Sequence, residues 1–336
     1  MQKPSHKFSG RNNKKKSIND PAHPFHSFAR KESEQSSSSK KDFSKHPDSE
    51  RNSFGHGKFR KKYSGKTSRP GRPGSHPAFS EQVLFDKNEL FPLNKYLSHT
   101  GLCSRRKAVD HIKAGEVNVN GKIITDPGFK VTEKDSIYLQ GKKLFLEIKQ
   151  VYILLNKPKG YITTTNDPKD RKTVMELISH ATSERVYPVG RLDRNTSGLL
   201  LLTNDGDLAQ QLAHPSHEVK KLYHVTLDKP LTKNDFEHIL SGIELEDGLS
   251  KADVLAYEDE EDKTQIGIEI HIGRNRIVRR IFEHLGYEVK ALDRVLYAGL
   301  TKKNLPRGKW RMLTQREVVL LKHFSKRITK PESFKE

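Results

Sequence analysis

Gly190-Arg191-Leu192-Asp193-Arg194-Asn195-Thr196-Ser197-Gly198-Leu199-Leu200-Leu201-Leu202-Thr203 is the stretch whose reading decides the fold. Four consecutive leucines predict a strongly apolar strand. Directly before it lies a short polar turn holding one carboxylate, Asp193. A loop anchored by a strand is where a fold keeps a reactive group rigid yet exposed. The run by itself also admits a plainer reading, in which Asp193 caps its own turn. An isolated carboxylate is not a site, so the rest of the chain has to decide.

Further runs stand on both sides of it. Upstream are Asn156-Lys157-Pro158-Lys159-Gly160 and Asp167-Pro168 with Arg171-Lys172-Thr173-Val174. Downstream are Lys220-Lys221-Leu222-Tyr223, then Gly273-Arg274-Asn275-Arg276-Ile277-Val278-Arg279-Arg280, then Leu305-Pro306-Arg307-Gly308-Lys309-Trp310-Arg311-Met312-Leu313. The unbroken run from Gly190 to Gly206, with these companions in order, resembles the rRNA pseudouridine synthases of the RsuA/RluB type. The resemblance covers about residues 90 to 323. A long motif with ordered companions is far more specific than any lone short pattern.

Charge points the same way. The 336 residues include 62 Lys and Arg against 42 Asp and Glu, a formal net charge of +20. The first 80 residues alone hold 19 of those cations against 6 of the acids. Such an excess suits a polyanionic partner, a nucleic acid or an anionic membrane. No apolar stretch approaches the ~18 residues of a membrane span, and the first residues lack the apolar core of a secretory signal. No membrane partner is therefore expected. The single cysteine, Cys103, excludes an intramolecular disulfide and argues against a structural zinc site. A cytoplasmic location is expected.

Composition divides the chain. Residues 1–88 form a basic, low-complexity tail, and between Lys3 and Phe79 the only Leu, Ile, Val or Met is Ile18. Such a segment cannot bury enough apolar surface to offset its chain entropy, and disorder is expected. Its mixture of Arg, Lys, Gly and Phe fits either RNA binding by charge and stacking or a solubilising tail.

Residues 89–149 read as a small separate unit. Leu93, Tyr96 and Leu97 line one short helix. Ser104 caps a second, with Ala108, Val109 and Ile112 at helical spacing and Gly115 as the stop. Asn120-Gly121 between two short apolar runs is a hairpin signal. Lys95, Arg105, Arg106, Lys107 and Lys113 decorate these helices. On charge alone they are a solvated face. Their pattern resembles the small RNA-binding domain named after ribosomal protein S-four, which implies that they contact rRNA phosphates. Such contacts position an enzyme and carry little sequence readout.

Residues 150–325 read as mixed α and β, with 326–336 left as a short basic tail. Ile266, Ile268, Ile270 and Ile272 alternate with other residues, and so do Leu222, His224 and Thr226; each set predicts a strand. Thr232 begins a helix that Gly242 ends. Ile277, Val278, Ile281, Phe282 and Leu285 share a helical face that stops at Gly286. Strands and helices do not alternate regularly, which argues against a doubly wound parallel sheet. The expected class is α+β. The resemblance implies a mixed, largely antiparallel sheet with a central cleft.

Within that resemblance the roles fall residue by residue. Asp193 fills the catalytic position, and one carboxylate acting as nucleophile or base suffices for an isomerisation at the glycosidic bond. Arg279 matches the position that pairs with it, where a guanidinium favours the ionised carboxylate; otherwise it is a phosphate clamp or a surface charge. Tyr223 matches the family's tyrosine, able to stack on an extruded uracil, and is otherwise an ordinary core aromatic. Arg191 is expected to help order the Asp193 loop. Thr196 and Gly198 shape its turn. Leu192 and Val278 are expected to wall the uracil pocket. Arg274, Arg276 and Arg280 are expected to hold flanking phosphates and help offset the cost of unstacking the target base. Ile277 stands where the family commonly has Gln or Glu, and Ile281 where it has Met or Leu.

No metal and no cofactor are expected, because the reaction imports no group and the chain carries no nucleotide-binding motif. The implied activity is isomerisation of uridine to pseudouridine in ribosomal RNA, with a lean toward the large subunit. The expected partners are rRNA or pre-ribosomal particles, and a monomer is expected. The competing reading is a non-catalytic rRNA-binding assembly factor.

Overall fold

The computed structural model describes residues 90–146, 149–259 and 261–327, with backbone alone for 324–327. The tail expected over 1–88 and all but the first two residues of the expected C-terminal tail lie outside this range.

The first unit opens with strand β1 (Phe91–Pro92) and helix α1 (Leu93–His99), then helix α2 (Arg105–Lys113). Strands β2 (Val117–Val119), β3 (Lys122–Ile123), β4 (Lys130–Val131), β5 (Ile137–Leu139) and β6 (Lys142–Lys143) follow. β3, β2, β5 and β6 form one small sheet, and β1 pairs with β4. The Ser104 hydroxyl accepts the Lys107 amide at 3.2 Å, so α2 starts at the expected cap. Leu93, Tyr96, Leu97, Ala108 and Ile112 are buried together, while Val109 is half-buried beside them. Asn120 (φ 51°) and Gly121 (φ 86°) are both left-handed, as a two-residue hairpin turn of the tight primed type demands.

The second unit is built on a nine-stranded sheet. In chain order the strands of this unit are β7 (Tyr152–Lys157), β8 (Tyr187–Pro188), β9 (Ser197–Thr203), β10 (Lys221–Leu227), β11 (Ile243–Leu245) and β12 (Gly248–Ser250). They continue with β13 (Val254–Tyr257), β14 (Gln265–Ile270), β15 (Val289–Tyr297), β16 (Leu300–Thr301) and β17 (Trp310–Met312). The spatial order is β13-β14-β10-β15-β9-β7-β17, with β16 on β15 and β8 on β9, and β11 with β12 forms a separate hairpin. Every pairing is antiparallel except β9 with β15. The sheet is thus the mixed, mostly antiparallel one expected.

The leucine run earns its position. Leu200 and Leu202 join one core, Leu199 and Leu201 the other, so β9 is buried on both faces and reads as continuous apolar sequence. Helices cover each face. Helix α3 (Val174–Leu177), helix α5 (Lys233–Ser241) and helix α6 (Ile277–His284) cover the first, which also carries Tyr223. Helix α4 (Gly206–Ala213) and helix α7 (Gln315–Arg327) cover the second. Thr232 caps α5, and Gly242 ends it with φ 115°. β14 stops at Ile270, short of the expected Ile272, where the His271 ring turns aside to Asp253. The last helix runs through Arg327, two residues into the stretch expected as a tail.

The parallel contact of β9 with β15 sets the height of the Asp193 loop, and it needs a glycine. Gly198 lies directly opposite Arg294 at φ 110°, and a Cβ there would collide with the backbone N, C and O of Arg294. Gly198→Ala is expected to destabilise the protein by about 2–3 kcal/mol, from clash and left-handed strain together. Denaturant titration checks this; an unchanged midpoint would mean that the strands separate without cost.

Candidate active site

Asp193 sits in the four-residue turn that enters β9. The Asp193 carbonyl accepts the Thr196 amide at 3.1 Å, which closes the turn. Its side chain is exposed, and its carboxylate receives no hydrogen bond from the described residues. The backbone beneath it is held at every residue. Leu192 O accepts the Thr163 hydroxyl at 2.8 Å. Asp193 O also accepts the Lys157 ammonium at 2.9 Å. Arg194 O accepts the Gly160 amide at 2.8 Å. Asn195 O accepts the Arg279 guanidinium at 3.4 Å, and Thr196 O accepts Lys157 again at 2.8 Å. Five consecutive carbonyls are thus fixed by groups from elsewhere in the fold, while the carboxylate they carry is left unengaged. A shell of this kind is what a preorganised site requires of the backbone beneath it.

Lys157 is the centre of this support. It ends β7, is 0% exposed, and spends all three ammonium protons on carbonyls, the third on Pro158 at 3.2 Å. Burial pulls its pKa down to about 8, with the Asp193 carboxylate opposing that fall. In sequence, Lys157 stands within the Asn156–Gly160 run with no role of its own. A lysine closing the apolar strand Tyr152-Ile153-Leu154-Leu155-Asn156-Lys157 was the available signal.

Arg279 lies in the first turn of α6, with its guanidinium on Val289 O at 2.8 Å and on the Asp193 loop at Asn195 O. It makes no direct ion pair with Asp193. Burial and the neighbouring Arg276 lower its pKa, while the charge of Asp193 raises it. Arg279 thus reaches the Asp193 loop through its backbone and also interacts with the Asp193 charge. Tyr223 is 9% exposed on the central strand β10, level with Ile268 of β14 and Arg294 of β15. Leu192, Tyr223, Ile277 and Val278 share one apolar cluster on the face that carries α6. The apolar residue at position 277 is thus part of this core cluster.

Other expected site residues are placed differently. The side chain of Arg191 is exposed and bonds to nothing among the described residues, so ordering of the loop falls to Lys157, Thr163, Gly160 and Arg279. Arg274 donates to Gly248 O at 2.7 Å and to the Ser250 hydroxyl at 3.2 Å. Arg280 grips Asp247 with two bonds at 2.7 and 2.6 Å. Arg276, a left-handed helix cap at φ 47°, pairs with Glu283 at 3.0 Å. Of the arginine cluster expected to hold phosphates, Arg274 and Arg280 thus meet the β11–β12 hairpin. Arg280→Ala is expected to loosen the β11–β12 hairpin with little effect on overall stability, as for an exposed ion pair. Hydrogen exchange should show faster opening of residues 243–250; unchanged exchange there would refute the tether.

In the first unit, Arg105, Arg106, Lys107 and Lys113 are exposed. Three of these cations occupy the first turn of α2, where the helix dipole disfavours positive charge. Lys95 departs from the set: its ammonium crosses to Asp207 at the start of α4, at 3.0 Å.

A second layer explains why the flanking motifs accompany the leucine run. Asn156 donates to Leu305 O at 2.8 Å, and its own carbonyl accepts the Gly308 amide at 2.7 Å. The Ser197 hydroxyl donates to Asp293 at 2.9 Å, and Asp293 also receives Lys302 at 2.7 Å and Arg307 at 3.0 Å. The Asn156–Gly160 run and the Leu305–Leu313 run therefore brace the platform beneath Asp193. Among the described residues no group of three or more His, Cys, Asp or Glu could hold a metal ion, and no helix is long and apolar enough to cross a membrane.

Comparison with known proteins agrees with this geometry. Residues 151–284 match the RNA pseudouridylate synthase family, and residues 91–137 match the S4 domain. Ribosomal large subunit pseudouridine synthase B of Bacillus subtilis is 44% identical over 233 residues, which cover 68% of this chain and 95% of that protein. Dual-specificity RNA pseudouridine synthase RluF of Escherichia coli is 36% identical over 231 residues, covering 68% of this chain and 77% of that protein. A crystal structure of a pseudouridylate synthase superposes with a TM-score of 0.50 at 29% identity, covering 68% of this chain and 98% of that one. The chain belongs to the RNA pseudouridylate synthase family. It is an RNA pseudouridine synthase that carries an S4 domain.

Proposed function

We propose that this enzyme isomerises a uridine of ribosomal RNA, in the large subunit, with Asp193 as its catalytic carboxylate. The observation that carries the reading is the Asp193 turn itself, five carbonyls fixed and the carboxylate unengaged. The uridine is extruded from its stack to reach Asp193, at a cost of a few kcal/mol that is smallest in a loop. Leu192, Tyr223 and Val278 receive the base. Asp193 acts at the sugar, either by attack on C1′ or by removal of a sugar proton. The N1–C1′ bond breaks, the freed uracil turns, and C5 bonds to C1′. C5 then gives up its proton and N1 gains one, so atoms balance without an oxidant or a cofactor. Lys157 and Arg279 keep positive charge beside the carboxylate. Arg105, Arg106, Lys107 and Lys113 take phosphates of the same RNA, which accounts for cations placed against the dipole of α2. All proposed groups come from one chain, so the enzyme acts as a monomer, in the cytoplasm where ribosomes are made.

A pseudouridine map of both ribosomal RNAs tests this. Cells lacking the protein are compared with cells given back wild type or Asp193→Ala. One large-subunit site should vanish and return with wild type alone. No missing site, or rescue by the variant, would favour a binding factor without turnover.

A further inference from the structure

A cavity of about 490 Å³ lies between α1 and α2 on one side and β8 and α4 on the other, away from the Tyr223 cluster. The catalytic reading does not use it. Its size is within the range of pockets that enclose a small ligand. Lys95, Arg105 and Arg185 line it with Asp207, Glu184 and the Tyr187 ring. Lys95 and Asp207 neutralise each other at 3.0 Å. Neither the Arg105 nor the Arg185 guanidinium makes a hydrogen bond or ion pair among the described residues, although Arg185 is half-buried. Two unspent guanidinia in one recess, beside the Arg105 amide that opens α2 and that helix geometry leaves without an intrahelical partner, fit a phosphate. Glu184, on the same wall, fits a hydroxyl donor. Phosphate and hydroxyl in one recess are the two polar parts of a ribonucleotide.

The position of the cavity matters as much as its chemistry. Its wall includes Gly190, and only Arg191 and Leu192 separate that residue from Asp193. Three residue steps span at most ~10 Å, about the reach of one or two nucleotides. Arg191, exposed and unpaired, lies between them.

Resting on the RNA reading above, we propose that this cavity between the S4 domain and the catalytic sheet holds one nucleotide of the RNA strand beside the target uridine, with its phosphate on Arg105 and Arg185. The small domain then does more than add charge: it forms half of a nucleotide site whose other half leads into the catalytic loop. The cavity fixes how far from Asp193 the strand is held.

The test reads binding, so it stands apart from turnover. Full-length protein is titrated against a radiolabelled transcript of large-subunit rRNA on filters, across a salt series. Arg105→Gln with Arg185→Gln should weaken binding tenfold or more near 0.1 M salt. It should also flatten the salt slope by about 0.7 for each lost phosphate contact on a single strand. Lys122→Gln with Lys142→Gln removes the same charge from the exposed sheet of the small unit and should lose much less. Gln210→Glu, which adds an acid to the cavity wall, should weaken binding in the same direction as the arginine pair. Equal losses for the two double variants, or no loss for the arginine pair, would overturn the proposal. So would tight, saturable binding of uridine monophosphate alone that the arginine pair abolishes, which would make the cavity an effector site.

Discussion

Asp193→Asn is expected to abolish turnover while leaving the protein folded and bound to RNA. Asparagine matches aspartate in shape but supplies neither nucleophile nor base. Loss of an essential catalytic group of this kind costs on the order of 10⁴-fold or more in rate. The fold should not notice, because the carboxylate is exposed and receives no hydrogen bond from the described residues. The groups that reach the turn from elsewhere bind its backbone and not the Asp193 carboxylate: Thr163, Gly160, Lys157 and Arg279 all act on carbonyls. A surface change that spares such contacts stays within about 0.5 kcal/mol of wild type. RNA affinity should be unchanged or slightly tighter, since a negative charge leaves a site that receives phosphates. Tritium release from RNA carrying 5-tritiated uridine, under single-turnover conditions, reads the C5 proton directly. A variant within tenfold of wild type would move the chemistry to another carboxylate. A variant that unfolds would refute the claim that the carboxylate is mechanically idle.

The readable parts of this protein are those decided within a few residues. The leucine run predicts β9 because burial on both faces removes any alternation that would confuse the pattern. Ser104 and Asn120-Gly121 declare a cap and a turn through their own backbone chemistry. The site is legible only in part. The resemblance points to Asp193, Tyr223 and Arg279 as expected site residues, but it does not say what each guanidinium and ammonium touches. Lys157 reaches its loop carbonyls across 36 and 39 residues of sequence. Arg280 finds Asp247 across 33, and Lys95 finds Asp207 across 112. A cation near a site looks the same in sequence whether it awaits a phosphate or already holds a carboxylate. The partner decides, and the partner is set by the fold. This is why the arginine cluster reads as a phosphate grip in sequence while Arg274 and Arg280 meet the β11–β12 hairpin in the structure, and why the lysine beneath the Asp193 turn carries no role in sequence.

Lys157→Met should separate the catalytic geometry from binding. Methionine fills most of the same volume, but it leaves Thr196 O without its only side-chain donor and Asp193 O with the Thr196 amide alone. A buried acceptor left unpaired costs about 1–3 kcal/mol. The variant also avoids burying an ammonium, which offsets part of that loss, so the net change in stability should be modest. The rate is more exposed, because displacement of a reactive group by about 1 Å costs about 10²-fold. The maximal rate should therefore drop about that far with little change in KM. The pH response gives a signature that a merely structural residue would lack. Burial holds Lys157 down to about 8. As pH rises through that value the ammonium becomes an amine, loses one of its three donors and withdraws a positive charge from Asp193. Wild-type activity should fall above pH 8, and the slower methionine variant should be flat there. Stability should move the other way. Between about pH 8 and 10.5 the folded protein holds fewer protons than the unfolded chain, so its unfolding free energy rises with pH. Lys221 is also held down to about 8, by burial first and then by the charge of Arg294, and adds to the same window. Wild type should thus gain stability while it loses activity, and Lys157→Met should show a shallower gain. A methionine variant at the wild-type rate, or wild-type activity flat to pH 10, would mean that the turn holds its shape without the charged lysine.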